Sequence, residues 1–170
     1  MKTVQWLAAL SLIFILSACG AADTTKEDIS SQMKFLTASQ KADELVIDHI
    51  QKAKEEKITF LDLEARLTRE RDFQQNLFNS ISAMNASEDG KKAREGSLSY
   101  ISEKITSYNS LIQTLSMENY DLLQHVVESH KISEEQYGKK AIEEINLSLT
   151  SIGENEIESF EVKEELKSEK

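Results

Sequence analysis

The chain opens with an apolar run, TVQWLAALSLIFILS over residues 3–17, and then turns polar at once. Beyond that point apolar residues recur at intervals of three and four, the period of a helix that buries one face. Over residues 25–56, Ile29, Met33, Phe35, Leu36, Ala42, Leu45, Val46, Ile47, Ile50 and Ala53 fall on one broad arc, with Lys34, Lys41, Asp48 and Lys52 opposite. Thr24 and Glu27 have the spacing of a capping box that would start this helix. A second, narrower stripe runs through Phe60, Leu63, Leu67, Leu77, Phe78, Ile81 and Met84. Between the two stripes, KITFLDL (residues 57–63) offers Thr59 as an N-cap. Asp62 stands three residues on, and Ile58 and Leu63 take the staple positions. No glycine or proline enforces this turn, so a single helix running through Thr59 is the rival reading.

NASEDG (residues 85–90) is the clearest loop. A third helix is predicted to begin between Lys91 and Ser97 and to reach His130. It passes through Leu98, Ile101, Ile105, Tyr108, Ile112, Leu115, Leu122 and Val126, with Asn119 in the one gap of a coiled-coil-like seam. KISEEQY (residues 131–137) then repeats the capping grammar, with Ser133 and Gln136 as the box and Ile132 and Tyr137 as the staple. The fourth helix would cover residues 134–152 through Ala141, Ile142, Ile145 and Leu149, and Gly153 would end it. Residues 154–170 read as a flexible acidic tail. The expected fold is an all-α, up-down bundle over residues 24–153. It has four helices, or three if the first two are continuous. The 85–90 loop would share an end with the start of the first helix, and residues 120–130 would project at the opposite end.

The absence of proline and the presence of only five glycines agree with helix throughout. A formal charge of −10 argues against nucleic acid, whose phosphates demand Lys and Arg. It argues equally against a basic membrane-binding face.

The only cysteine, Cys19, follows the apolar run directly. The run is too short to span a bilayer, which takes about 20 apolar residues, and after Met1-Lys2 it has the layout of a secretory signal. Leu16-Ser17-Ala18-Cys19 resembles the lipobox of bacterial lipoproteins. The resemblance covers about the first 20 residues, and it implies a signal peptide over residues 1–18, cleavage between Ala18 and Cys19, and diacylglycerol on the Cys19 sulfur. The new amino group would often be acylated as well. Residues 19–23 would form a lipidated tether, and two or three chains anchor a protein stably where one does not. Gly20 stands where an aspartate would mean inner-membrane retention. The implied location is therefore the periplasmic side of the outer membrane, or the outer face of the cytoplasmic membrane in a host with one membrane.

Candidate chemistry in the body is sparse. No nucleophile elbow, phosphate loop or Cys–His pair occurs, and no catalytic residue is assigned. His125 and His130, in HVVESH, lie about 140° apart on a helix, and no metal site is assigned to them. Glu-x-x-His pairs of a di-iron bundle do not occur. The informative intrusions are polar residues inside apolar stripes. Asp43, Arg66, Glu70 and Tyr108 would form a buried polar layer, either as a register-setting device or as a small cavity for a cation or ligand.

The expected function is a non-enzymatic binding or structural module for another envelope protein, met through the end that carries Tyr120, His125 and His130. It would be anchored to the membrane by lipid and need no cofactor beyond its acyl chains. Alternatives are an immunity- or inhibitor-type lipoprotein that neutralises a basic protein, and a bundle that carries a lipid or small hydrophobic ligand. A second copy of the chain is a further candidate partner.

Overall fold

The computed structural model describes the backbone of residues 2–160 and the side chains of residues 24–160 other than Glu44. Four helices follow one another: α1 (Lys2–Lys54), α2 (Phe60–Ala83), α3 (Lys91–Leu115) and α4 (Tyr120–Ser151). No strand occurs among the described residues. The protein is an all-α bundle of four helices packed against one another.

Three of the four helices end at a residue with left-handed backbone: Glu56 at φ 58°, Glu118 at φ 47° and Gly153 at φ 79°. After α1 the Lys57 amide donates to the Lys52 carbonyl at 2.9 Å and the Glu56 amide to Ala53 at 3.0 Å. After α4 the same pair recurs, Glu154 to Leu149 at 3.0 Å and Gly153 to Thr150 at 3.1 Å. Both are Schellman closures, which satisfy carbonyls that a helix end leaves open. The α1–α2 turn is completed at Thr59, whose hydroxyl accepts from the Asp62 amide at 3.1 Å while Asp62 accepts from the Thr59 amide at 3.2 Å. The expected capping box is therefore present and α1 and α2 are separate.

Several expectations are corrected. The first helix does not start at Thr24, because α1 is continuous from Lys2 through residues 19–24. The break after the third helix falls at residues 116–119, not at Lys131–Ser133: Glu118 turns the chain, and the Asn119 side chain caps α4 by accepting from the Leu122 amide at 3.0 Å. Asn119 is thus a cap rather than a seam residue. The Ser133 hydroxyl is drawn across to Glu103 on α3, at 2.6 Å, so nothing interrupts α4 there. Ile132, the expected staple partner of Tyr137, is 63 % exposed. As a result residues 120–130 begin α4 and do not project.

A last correction concerns the acidic tail. Residues 154–160 fold back over the bundle as a strap. The Asn146 side chain clasps the backbone of Ile157 with two hydrogen bonds of 2.8 and 2.9 Å. Thr37 donates to the Phe160 carbonyl at 2.5 Å, and the Phe160 ring, only 1 % exposed, lies 5.3 Å from Tyr100. A buried ring contributes enough apolar area to hold a short segment that its acidic neighbours would not. Residues 161–170 lie outside the described residues.

The topology is up-down. At one end Lys26 pairs with Glu154 at 2.8 Å, and the 85–90 loop meets α1 where Ser87 contacts Thr25 at 2.5 Å. At the other end the Phe60 and Tyr120 rings stack at 4.7 Å, and the Tyr120 hydroxyl donates to the Ala53 carbonyl at 2.7 Å. Two apolar clusters fill the interior, one around Met33, Ile81, Ile101 and Ile145, the other around Leu63, Leu67, Leu111 and Leu123. α3 packs extensively on both α2 and α4, and α1 touches α4 least. α3 and α4 approach closely at Gly96, where an added Cβ would stand 3.0 Å from the Glu144 Cβ and 3.1 Å from the Ala141 Cα.

α1 is joined to the rest through polar contacts spaced by seven residues. Thr25 meets Ser87, Gln32 accepts from Ser97 at 3.0 Å, and Ser39 donates to Gln74 at 2.7 Å, the last two pairs fully buried. Val46 and Ala53 continue the same buried row, while Leu45 and Ile47 from the expected apolar arc are 51 % and 53 % exposed.

Candidate functional site

Between the two apolar clusters α1, α3 and α4 bring charged side chains together. Asp43 comes from α1, Lys104 and Tyr108 from α3, and Glu134 from α4. Lys104 is 2 % exposed, and its ammonium contacts Asp43 directly and stands 3.0 Å from Glu134. It also lies 5.0 Å from the centroid of the Tyr100 ring, where the face of the aromatic favours a cation. The Tyr108 hydroxyl donates to the second Asp43 oxygen at 3.1 Å.

One ammonium serves two carboxylates, so the ionised cluster holds one surplus negative charge. Burial pushes the Asp43 carboxyl up to about 6; the pull of Lys104 opposes this, and repulsion from Glu134 adds to it. Burial alone would lower the Lys104 ammonium, but Asp43, Tyr100 and Glu134 outweigh it and hold the ammonium above the ordinary lysine range. Tyr108 is pushed up by burial and then by Asp43, which keeps its phenol a donor. A lysine held cationic in this way is neither a base nor a nucleophile at neutral pH.

The cluster is the floor of a groove of about 650 Å³ along the α1–α4 seam, within the size range of small-molecule sites. Apolar lining comes from both clusters: Val46, Leu111 and Val127 from one, Tyr100, Ile142 and the strap residue Phe160 from the other, with Ile47 in addition. Ser107, 2 % exposed, also lines the groove, and its hydroxyl has no hydrogen-bond partner among the described residues.

Of the polar layer expected from sequence, the structure joins Asp43 and Tyr108. Arg66 makes no ion pair with Asp43. Its charge acts on His49, whose imidazole is lowered first by burial and then by Arg66. Glu70 is pushed up by its own burial, and Asp43 repels it, but the two share no hydrogen bond. The cation that sequence reading missed is Lys104. It belongs to a row, Ala93, Ser97, Tyr100, Lys104, Ser107, Leu111 and Thr114, that is buried throughout and alternates steps of four and three. That spacing was present in the sequence, but most of the row is small or polar, so an apolar count follows the other seam through Ile101, Tyr108 and Leu115.

Tyr120 is occupied in the stack on Phe60, His125 is exposed and His130 borders the groove. No cluster of three or more metal-ligating side chains occurs among the described residues, and no helix there is long and apolar enough to cross a membrane. The side chains of Ala18 and Cys19 lie outside the described residues. Compared with known proteins, the chain matches no family model, no curated protein and no solved structure.

Proposed function

We propose that this chain is a non-enzymatic binding module of a bacterial envelope, tethered by lipid at Cys19, whose working surface is the α1–α4 groove. The observation that carries this reading is the open seam itself. In a closed four-helix bundle every seam is filled by side chains. Here α1 and α4 stand apart over a charged floor and leave about 650 Å³. That geometry favours a bundle that carries a small amphipathic ligand. Native mass spectrometry of the lipidated protein released from its own membrane tests it. A reproducible added mass that is lost on filling the groove with Ile47→Trp supports carriage, and an unchanged added mass with that variant defeats the groove as its seat.

A second reading, docking of another envelope protein, rests on Ile47, 53 % exposed at the groove and continuous with it. A photo-crosslinker at Ile47 in the native envelope would join one defined protein if this holds, and would give only self-linked or unlinked chain if it does not. In both experiments Cys19→Ala serves as the test of anchoring, since it should release the protein from the membrane fraction.

A further inference from the structure

We infer that the groove is a recognition site for an alkylammonium, with the cationic head beside Lys104 against the groove-lining Asp43 and Glu134 carboxylates and the aliphatic body along Val46, Ile47 and Val127. This rests on the ligand-carrying reading and adds the chemistry of the ligand.

The charge count gives the head. Asp43 and Glu134 share the single ammonium of Lys104, and both carboxylates are only partly exposed, at 25 % and 21 % of their side chains. A surplus negative charge held out of water is costly unless another positive group reaches it. The Asp43 carboxyl, pushed up to about 6, reports the same cost. At the floor an anion is disfavoured, because Lys104 already spends its donors on two carboxylates and the Tyr100 face.

Ser107 supplies an independent observation. Its buried hydroxyl borders the groove and meets no partner among the described residues. A hydroxyl left unpaired inside a protein is expensive, and a ligand N–H is a donor it can accept. Lys131 and Lys139 also line the groove, together with Glu135 and Glu158. Lys139 is paired at 2.8 Å with Glu135, and both lysines are exposed, so neither pairs with the partly buried Asp43 or Glu134.

The body follows from the walls. Val46, Leu111 and Val127 line the groove next to the charged floor, and Ile47 is half-exposed beside them. A hydrocarbon chain laid there would cover apolar surface that water now touches.

The test uses the full lipidated chain, methyl-labelled at isoleucine and valine, in phosphatidylcholine nanodiscs. The probes are hexylamine, hexanol and hexanoate at neutral pH, with empty nanodiscs to subtract partitioning. Hexylammonium is expected to shift the Ile47 and Val127 methyl signals saturably, at a concentration at least tenfold below the other two probes. Glu134→Gln should weaken the amine at least tenfold, and Ile47→Trp should abolish it without touching the charges. Equal binding of hexanol, or an unchanged affinity in Glu134→Gln, overturns the cation site but leaves the groove as a ligand surface. If no probe shifts the groove methyls, the alkylammonium inference fails outright, and the mass-spectrometric and crosslinking experiments decide the groove by themselves.

Discussion

The Lys104 ammonium stands 3.0 Å from the Glu134 carboxylate, and the lysine that carries it is 2 % exposed. Removing it leaves the partly buried Asp43 and Glu134 carboxylates without their cation. Breaking such a pair from one side costs about 3–5 kcal/mol, more than the intact pair contributes against an apolar replacement. Lys104→Met is therefore expected to lose about 3 kcal/mol in urea unfolding. Adding Asp43→Asn to it should recover a substantial part. A Lys104→Met chain as stable as the parent would show that the cluster is solvated.

Acid should stabilise the protein before it destabilises it. The Asp43 carboxyl sits near 6 when folded and at 3.8 in the open chain, so between those values the folded state binds more protons. Stability then falls as pH rises through about 6 and is regained on the way down. The change is on the order of 2 kcal/mol, a few degrees of melting temperature. Asp48, Glu55, Asp62 and Glu135 act the other way, since hydrogen bonds lower each of them and that support is lost as they protonate at lower pH. Thermal melts followed by circular dichroism should thus peak near pH 5, and Asp43→Asn should flatten the rise between pH 7 and 5.

Glu56 and Glu118 hold left-handed backbone, a conformation that costs an L-residue about 1 kcal/mol and glycine almost nothing. Glu118→Gly is expected to raise stability by about 0.5–1 kcal/mol, and Glu56→Gly by a similar amount. A loss in chemical denaturation would place those turns elsewhere in backbone space.

Phe160→Ala should cost about 3 kcal/mol, as for other buried rings. It should also loosen the strap, so that limited proteolysis cuts between Gly153 and Phe160. An unchanged melting temperature would mean the strap contributes nothing.

The helical class, the Thr59 cap and the loop at residues 85–90 were legible because each has a local signal: a periodic stripe, a paired hydroxyl and carboxylate, a cluster of turn residues. The α3–α4 break was not. SMEN contains neither glycine nor proline, and its turn rests on a glutamate forced into left-handed backbone, whereas KISEEQY has the grammar of a cap and is spanned by α4. Half of the candidate site was readable: a carboxylate in an apolar arc announces buried partners, and Tyr108 is one of the two. Lys104 was hidden because α3 is buried on two sides, and only one of its seams is apolar. Phe160 was hidden because a lone ring among glutamates resembles tail until Tyr100 is placed beneath it.

The seven-residue spacing of Thr25, Gln32 and Ser39 has a consequence for how α1 finds its place. Slid by one heptad, α1 would still set Gln32 against Ser87 and Ser39 against Ser97, polar group to polar group. The same slip would bring Val46 to the buried amide of Gln74 and Ile50 to the ammonium of Lys104, stranding both. A repeating helix is tolerant of displacement in proportion to its regularity, and α1 escapes that ambiguity where its repeat changes from polar to apolar.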